Sequence, residues 1–326
     1  MQSEAFVSVV LTELNEAEEI ARAVDSLLAQ EPGAAEVVVV DGGSSDGTWE
    51  WLEARAKIEP RLIAIRDESC SLKHSDGPVS RGRNVAIRAA KSAIIACADA
   101  GCTYAPGWLA NLTAPIARGE SEYALGGSLL DPHGPTAWDV ASAPYFSVQL
   151  DPNAPTKSCT ARSMAFTRAL WERVGGFPEE VLVGEDTLFD FAARRATSTA
   201  FVNNAKAMYR PQNTYYLACH QMARYAMSDG MARVRTARLV RNAARCLLEV
   251  ASLAALLWTP WIFVIALGIE LHYGFRRDGV RVARYGLRAV AARLAFSVSV
   301  PWVVAWNHAL GLVRRERQTN WQNRGQ

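Results

Sequence analysis

Cysteine is scarce and unpatterned in this chain. The six residues, at 70, 97, 102, 159, 219 and 246, include no C-x-x-C pair and no metal-ligand rhythm. That argues against a zinc site and a disulfide scaffold, and scattered thiols fit a reducing compartment. The first strand–helix turn, Thr12 to Glu16, has no G-x-G-x-x-G, so a dinucleotide-dependent dehydrogenase is disfavoured. No internal repeat or low-complexity tract is present. A formal net charge of +2 and a 50% hydrophobic content exclude a disordered chain and a general polyanion binder. Acidic residues are common before Asp190 but nearly missing after Arg233, where Arg is frequent. This asymmetry suggests a cytoplasmic membrane surface with anionic lipids. Nucleic acid fits less well, because the Arg residues flank apolar runs rather than interleaving with exposed polar and aromatic ones. The first strand begins too early to leave room for a signal peptide, so the N-terminal part is expected in the cytosol.

The most informative segment is Val37-Val38-Val39-Val40-Asp41-Gly42-Gly43-Ser44-Ser45-Asp46-Gly47-Thr48. Four β-branched residues in a row form a strand buried on both faces, as in a parallel sheet. The strand ends on Asp41, and two glycines let the chain turn sharply and approach a ligand. Ligands of open α/β sheets bind beyond the carboxyl ends of the strands. Asp41 therefore sits where a ligand should be, and a carboxylate suits a donor group on a base or ribose better than a phosphate. Asp46 is placed to cap a helix over 48–57. Upstream, residues 6–11 form a second apolar strand leading into a helix. There Asn15 and Glu18 have capping-box spacing, and Ile20, Val24, Leu27 and Leu28 share one face. The result is a β-α-β unit with both loops on one sheet edge.

At these two strands, VSVVLTELNE and VVVVDGGSSDGT, the chain resembles glycosyltransferase family 2, and the resemblance continues in order to about Arg233. It implies a GT-A fold over 1–240, an α/β domain with a Rossmann-like, mostly parallel sheet and helices on both faces. A C-terminal helical region over 241–326 follows. It also implies a nucleotide-sugar donor (UDP-, GDP- or dTDP-linked), bound by Thr12, Leu14, Glu16, Asp41, Gly43, Arg83 and Asp99. Further strands are expected at 62–66, 93–98, 124–130 and 161–167. Helices are expected from 81, with Ser80 as cap, and from Pro106. Residues 131–157, rich in Pro and Ala, read as a long functional loop.

Family members carry a D-x-D motif at the end of the fourth strand, whose carboxylates hold a divalent ion against the donor diphosphate. Asp99 matches the first Asp, and Gly101 stands where the second would be. The resemblance implies Mg2+ or Mn2+ on Asp99, and the departure at Gly101 leaves two alternatives: Asp99 holds the metal together with the diphosphate and water, or metal dependence is weak. Arg83, in Arg81-Gly82-Arg83-Asn84, matches an Arg under the nucleotide and offers a planar set of donors to a diphosphate. Arg81, Lys73 and His74 nearby are weaker candidates.

The segment W-E-R-V-G-G-F-P-E-E-V-L-V-G-E-D, from Trp171 to Asp186, resembles the family's G-G-F/Y turn followed by an acidic pair beside the acceptor. Inverting transfer needs a base for the attacking hydroxyl. The resemblance assigns that role to Asp186 and a supporting role to Glu185. Gln221, Arg224 and Tyr225 resemble a Q-x-x-R-W/Y element over the acceptor or diphosphate, and Arg162, a polar intrusion in an apolar strand near the acceptor side, is a further candidate for the acceptor or the diphosphate.

Two apolar runs, about 247–269 and 294–313, are long enough to meet a bilayer core. Two full crossings would place Arg276 to Arg288 outside, against the positive-inside tendency. The expectation is that both runs dip in and return near Pro260 and Pro301, or lie along the interface, with every Arg cluster cytoplasmic. The function expected is inverting sugar transfer to a polyprenyl-linked glycan at the cytoplasmic face of the cell membrane, in cell-surface polysaccharide or glycolipid synthesis. The alternatives are a polyprenyl-phosphate sugar synthase and a silent nucleotide-sugar-binding subunit.

Overall fold

A computed structural model describes residues 6–131, 136–146, 160–210, 214–255 and 285–314, with a few positions between 261 and 272. The described residues divide into two compact units, residues 6–131 with 160–209, and residues 136–146 with those from 210 onward. The division falls near 209, not near 240. The chain crosses once more at 136–146, inside the segment read as a loop.

The first unit alternates strands and helices: β1 (Val7–Glu13), α1 (Ile20–Leu28), β2 (Glu36–Asp41), α2 (Thr48–Ala56), β3 (Leu62–Arg66), α3 (Pro78–Ala89), β4 (Ile94–Cys97), β5 (Cys102–Tyr104), α4 (Trp108–Ala117) and β6 (Tyr123–Leu130). After α5 (Ala137–Phe146), which belongs to the second unit, it continues with β7 (Met164–Thr167), α6 (Arg168–Val174), α7 (Glu185–Ala196) and β8 (Thr199–Tyr209). The eight strands form one mixed sheet, in the order β3-β2-β1-β4-β7-β6-β8-β5, with helices on both faces. β3, β2, β1 and β4 run parallel, while β7 is antiparallel to β4. Every residue of β2 is buried, as its unbroken valine run requires of a central parallel strand. Because β1 lies between β2 and β4, the chain winds away from it in both directions. The carboxyl ends of these strands open at that switch point. Gly82 of α3 lets the helix lie on β1, since a Cβ there would fall 2.0 Å from Thr12 Oγ1.

Several local expectations are corrected. α3 begins at Pro78, which presets the first-turn φ, and Ser80 is buried inside the helix rather than capping it. α2 has Gly47 as its cap at φ +100°, one residue after Asp46. Residues 161–163 form a single 3-10 turn before β7, so Arg162 lies in that turn and not in a strand. The capping box at Asn15 and Glu18 does not form. Asn15 adopts a left-handed φ of +58° and spends its side chain on a neighbouring loop.

The second unit contains α5, α8 (Tyr215–Met231), α9 (Thr236–Ala255) and α10 (Leu287–Val313). Phe296 of α10 is enclosed by the rings of Trp138, Tyr145 and Tyr215. α8 and α10 cross closely at two glycines: a Cβ on Gly230 would lie 2.1 Å from the His308 carbonyl, and one on Gly311 would lie 2.2 Å from that of Met227. α10 runs unbroken through Pro301, against the expectation that the chain returns there. A helical proline frees the carbonyl four residues earlier, here that of Ser297, and Arg245 of α9 donates to it at 2.8 Å. That guanidinium satisfies the group whose loss would otherwise favour a break. The return near Pro260 falls outside the described residues.

Candidate active site

The loops after β1 and β2 are stitched to one another by their backbones. Asn15 N donates to Ser44 Oγ at 2.8 Å, and Ser45 N donates to Asn15 Oδ1 at 2.9 Å. Glu16 N donates to Thr48 Oγ1 at 3.0 Å, and Ala17 N to Asp46 Oδ2 at 3.1 Å. The Ser44-Ser45-Asp46 segment thus serves as a clasp between the two loops. Gly43, at φ +98°, makes the turn that a side chain would strain. Leu14 is exposed, and Thr12 and Glu16 are partly so. Burial and the nearby charge of Asp99 both push the Glu16 carboxyl up.

Asp41 differs from expectation, because it is fully buried. Its Oδ1 accepts from Gly43 N at 2.8 Å and Ser44 N at 2.9 Å, so the carboxylate folds back onto its own turn. Its neighbour in register across the parallel pair is Glu13, also buried, a residue that sequence reasoning missed. Burial, then the hydrogen bond and the charge of Asp41, push the Glu13 carboxyl up to about 9. Burial opposes the charged form of Asp41, but hydrogen bonds from Glu13, Ser44 and the Gly43 amide outweigh it and lower its pKa. At neutral pH Glu13 is therefore a neutral acid donating to an ionised Asp41.

This pair predicts a pH dependence. Folded Glu13 keeps its proton while unfolded Glu13 loses it near 4.5, so its contribution is complete below that value and is lost as pH rises to about 9. The slope from this one group approaches ~1.4 kcal/mol per pH unit. Glu13→Gln keeps a donor for Asp41 and abolishes the slope. Thermal melts should show the variant gaining on wild type at about pH 8 and matching it near pH 4. An equal difference at both pH values would refute the shared proton.

The charged centre lies one strand over. Arg83 projects from α3, buried, and reaches two carboxylates on different elements. Its Nη2 lies 2.9 Å from Asp99 Oδ1, and its Nη1 lies 2.6 Å from Glu185 Oε1. Burial disfavours its charge, but Asp99 and Glu185 more than offset that and hold it firmly protonated. The Phe177 ring lies beneath the guanidinium, 5.6 Å from centroid to Cζ. Asp99 stands two residues beyond the end of β4, where its amide donates to the buried Tyr104 hydroxyl at 2.8 Å. Arg162 Nε sits 3.7 Å from Asp99 Oδ2, and its guanidinium lies 4.5 Å from the centre of the Tyr209 ring.

Glu185 and Asp186 open α7 after Gly184, at φ +84°. Burial and the charge of Asp186 raise the Glu185 pKa, and Arg83 pulls it down again. Asp186 accepts from Thr187 N at 2.6 Å and from Ala161 N at 3.4 Å, which sets it beside the turn that carries Arg162. Asn84, next to Arg83, fixes the Gly-Gly-Phe turn. Its Oδ1 accepts from Phe177 N and Trp171 Nε1, and its Nδ2 donates to the Phe177 carbonyl and to Glu179. Arg81 is occupied by Ser69 and Glu179, while Lys73 and His74 are exposed. Gln221 and Tyr225 form a one-turn pair on α8 of the second unit, with Nε2 donating to the hydroxyl at 2.9 Å, and Arg224 is exposed there.

Arg83, Asp99, Arg162, Glu185 and Asp186 therefore converge from α3, β4, the 161–163 turn and α7. The D-x-D metal site does not fit these residues. Both oxygens of Asp99 face guanidinium groups, nothing lies within 4 Å of where a Gly101 Cβ would stand, and no group of three His, Cys, Asp or Glu side chains converges among the described residues.

Residues 8–174 match the sequence model of Glycosyl transferase family 2. The chain belongs to this family. Within it, the chain is 29% identical over 202 residues to glycosyltransferase AglE of Haloferax volcanii, an alignment covering 60% of this chain and 62% of that protein. It is 40% identical over 106 residues to the succinoglycan biosynthesis protein ExoU of Rhizobium meliloti, covering 32% of this chain and 29% of that one. The chain thus spans less than two thirds of the length of the curated relatives it matches. In fold it is similar to the mannosyltransferase PcManGT of Pyrobaculum calidifontis, solved with GDP-Man and Mn2+. The TM-score is 0.65 at 19% identity, over 92% of this chain and 87% of that one. The GT-A architecture is the family's, and the family match contains Asp99, Arg83 and Arg162 but ends before the Glu185-Asp186 pair.

Proposed function

We propose that this protein is an inverting glycosyltransferase. It moves a sugar from a nucleotide-sugar donor to a hydroxyl of a lipid-linked, polyprenyl-type glycan at the cytoplasmic face of the cell membrane, in cell-surface polysaccharide or glycolipid synthesis. The observation that carries this reading is the single buried guanidinium of Arg83, which joins Asp99 at the strand end to Glu185 beside Asp186. It links the position where the family places a departing diphosphate to the position where it places an acceptor.

In this mechanism Asp186 takes the proton of the acceptor hydroxyl, whose oxygen bonds to the anomeric carbon on the face opposite the nucleotide. The bond from that carbon to the diphosphate breaks, and its electron pair leaves with the phosphate oxygen. Glu185, clamped by Arg83, fixes the start of α7 and thereby the position of Asp186. The names of AglE and ExoU support sugar transfer in glycan synthesis, and the GDP-Man bound to PcManGT supports a nucleotide-sugar donor.

Membrane association is supported by α10, the one helix among the described residues long and apolar enough to cross a bilayer. Its exposed Val298, Trp302 and Trp306 recur every four residues, making one apolar stripe with two tryptophans of the kind that favour the interface. On α9, Val240, Leu247, Val250 and Leu253 are likewise exposed.

A ligand that binds only the native state raises the melting temperature with occupancy. Thermal shift of the full chain against UDP, GDP, dTDP and their sugars should therefore give one responding nucleotide. Release of that nucleotide from its sugar should rise when a polyprenyl-linked glycan is added. If no nucleotide shifts the melt and no sugar is turned over, this reading fails.

A further inference from the structure

We propose that in this chain a guanidinium, that of Arg162, stands in for the divalent cation at the donor diphosphate, with the buried Arg83 holding Asp99 in place from the other side. The inference rests on the nucleotide-sugar reading above and specifies how that site neutralises its leaving group.

Four observations converge on it. The second carboxylate of D-x-D is replaced by Gly101, and among the described residues nothing lies within 4 Å of where a Cβ there would stand. The remaining carboxylate, Asp99, has one oxygen 2.9 Å from Arg83 and the other 3.7 Å from Arg162. A divalent ion placed there would compete with both guanidiniums for a single carboxylate and meet their like charge. Finally, each guanidinium is held against an aromatic ring, Arg83 against Phe177 and Arg162 against Tyr209, so neither is a loose surface cation.

The chemistry matches the need. When the anomeric C–O bond breaks, the departing nucleoside diphosphate gains one negative charge. Guanidinium forks neutralise phosphate oxygens through paired N–H donors in a fixed plane. Asp99, anchored by Arg83, then acts as a positioning residue that aims Arg162, and no metal ligand is required of it. Of the two roles open to Arg162, this assigns it the diphosphate and not the acceptor.

The test measures binding of UDP, GDP and dTDP to the full chain by calorimetry, in EDTA and in excess Mn2+. The nucleotide that binds should do so equally well in both. Arg162→Met should weaken it by about tenfold or more, as loss of a charge-assisted hydrogen bond implies, in EDTA and Mn2+ alike. Gly101→Asp, placed in open space, should create a Mn2+ dependence that the wild type lacks. Wild-type binding that requires Mn2+ overturns the proposal while leaving the nucleotide-sugar reading intact, and so does undiminished binding by Arg162→Met. Absence of binding by all three nucleotides in both conditions overturns that underlying reading instead.

Discussion

Asp186→Asn should lower turnover by roughly two to four orders of magnitude, the usual contribution of a positioned general base, with nucleoside diphosphate affinity close to wild type. The amide preserves the shape of the side chain and keeps an oxygen to accept from Thr187 N, which lies 2.6 Å from Asp186 Oδ1. The start of α7 should therefore survive, and only the proton acceptor is lost. Glu185 makes a poor substitute, because its Oε1 already accepts from Arg83 at 2.6 Å and its side chain is mostly buried. Steady-state kinetics with a lipid-linked acceptor, beside a binding isotherm for the nucleotide, separates the two effects. Near-normal turnover would remove Asp186 from the role of base. It would favour the synthase alternative, in which the acceptor is a phosphate and needs little help with deprotonation.

Arg83→Met should be the most destabilising single change at the site, costing about 3–5 kcal/mol, the range for removing one partner of a buried ion pair. Methionine keeps an unbranched stem over Phe177, so the loss reports the charge and its hydrogen bonds more than the packing. It strands Glu185, whose carboxyl is mostly buried, and leaves Asp99 facing Arg162 alone. The part assigned to Asp99 is the smaller, because that side chain is 30% exposed and water can compensate it. The sign with pH follows from Glu185. Its pKa is already raised by burial and by Asp186, and losing Arg83 removes the main opposing influence. Protonation of Glu185 should then relieve the variant as pH falls, so the deficit in melting temperature should be widest above neutrality and narrow in acid. A deficit that stays constant with pH would mean that the guanidinium is not compensating a buried carboxylate.

Much of this protein is written in short-range pattern. The valine run of β2 could only be a strand covered on both faces, and β1 with α1 followed from apolar spacing within a dozen residues. The Arg-Asn pair, the Asp at the end of β4 and the Glu-Asp pair after Gly-Gly-Phe stood out as motifs, and the fold brings all of them into one unit. Local signals failed where two acceptable solutions competed. Asn15 could cap α1 or clasp the 44–48 loop, and only the placement of β1 beside β2 made the clasp available. Pro301 could end a helix or sit within one, and Arg245, from another helix, settled it by taking the freed carbonyl.

The site shows the same division. Sequence named Asp41 as a ligand-facing carboxylate because it stands at a strand end, but register set it against Glu13 and turned it inward. Sequence placed Arg83 and Glu185 in separate motifs, 102 positions apart, and only tertiary packing closed them to 2.6 Å. Residue type and spacing determine which groups have the chemistry for transfer, because periodicity and turn preference act over a few residues. Which carboxylate keeps its proton and which cation faces it depend on burial and on charges brought from distant elements. Those are properties of the folded chain, in which the low polarity of the interior makes a contact of a few ångströms decisive.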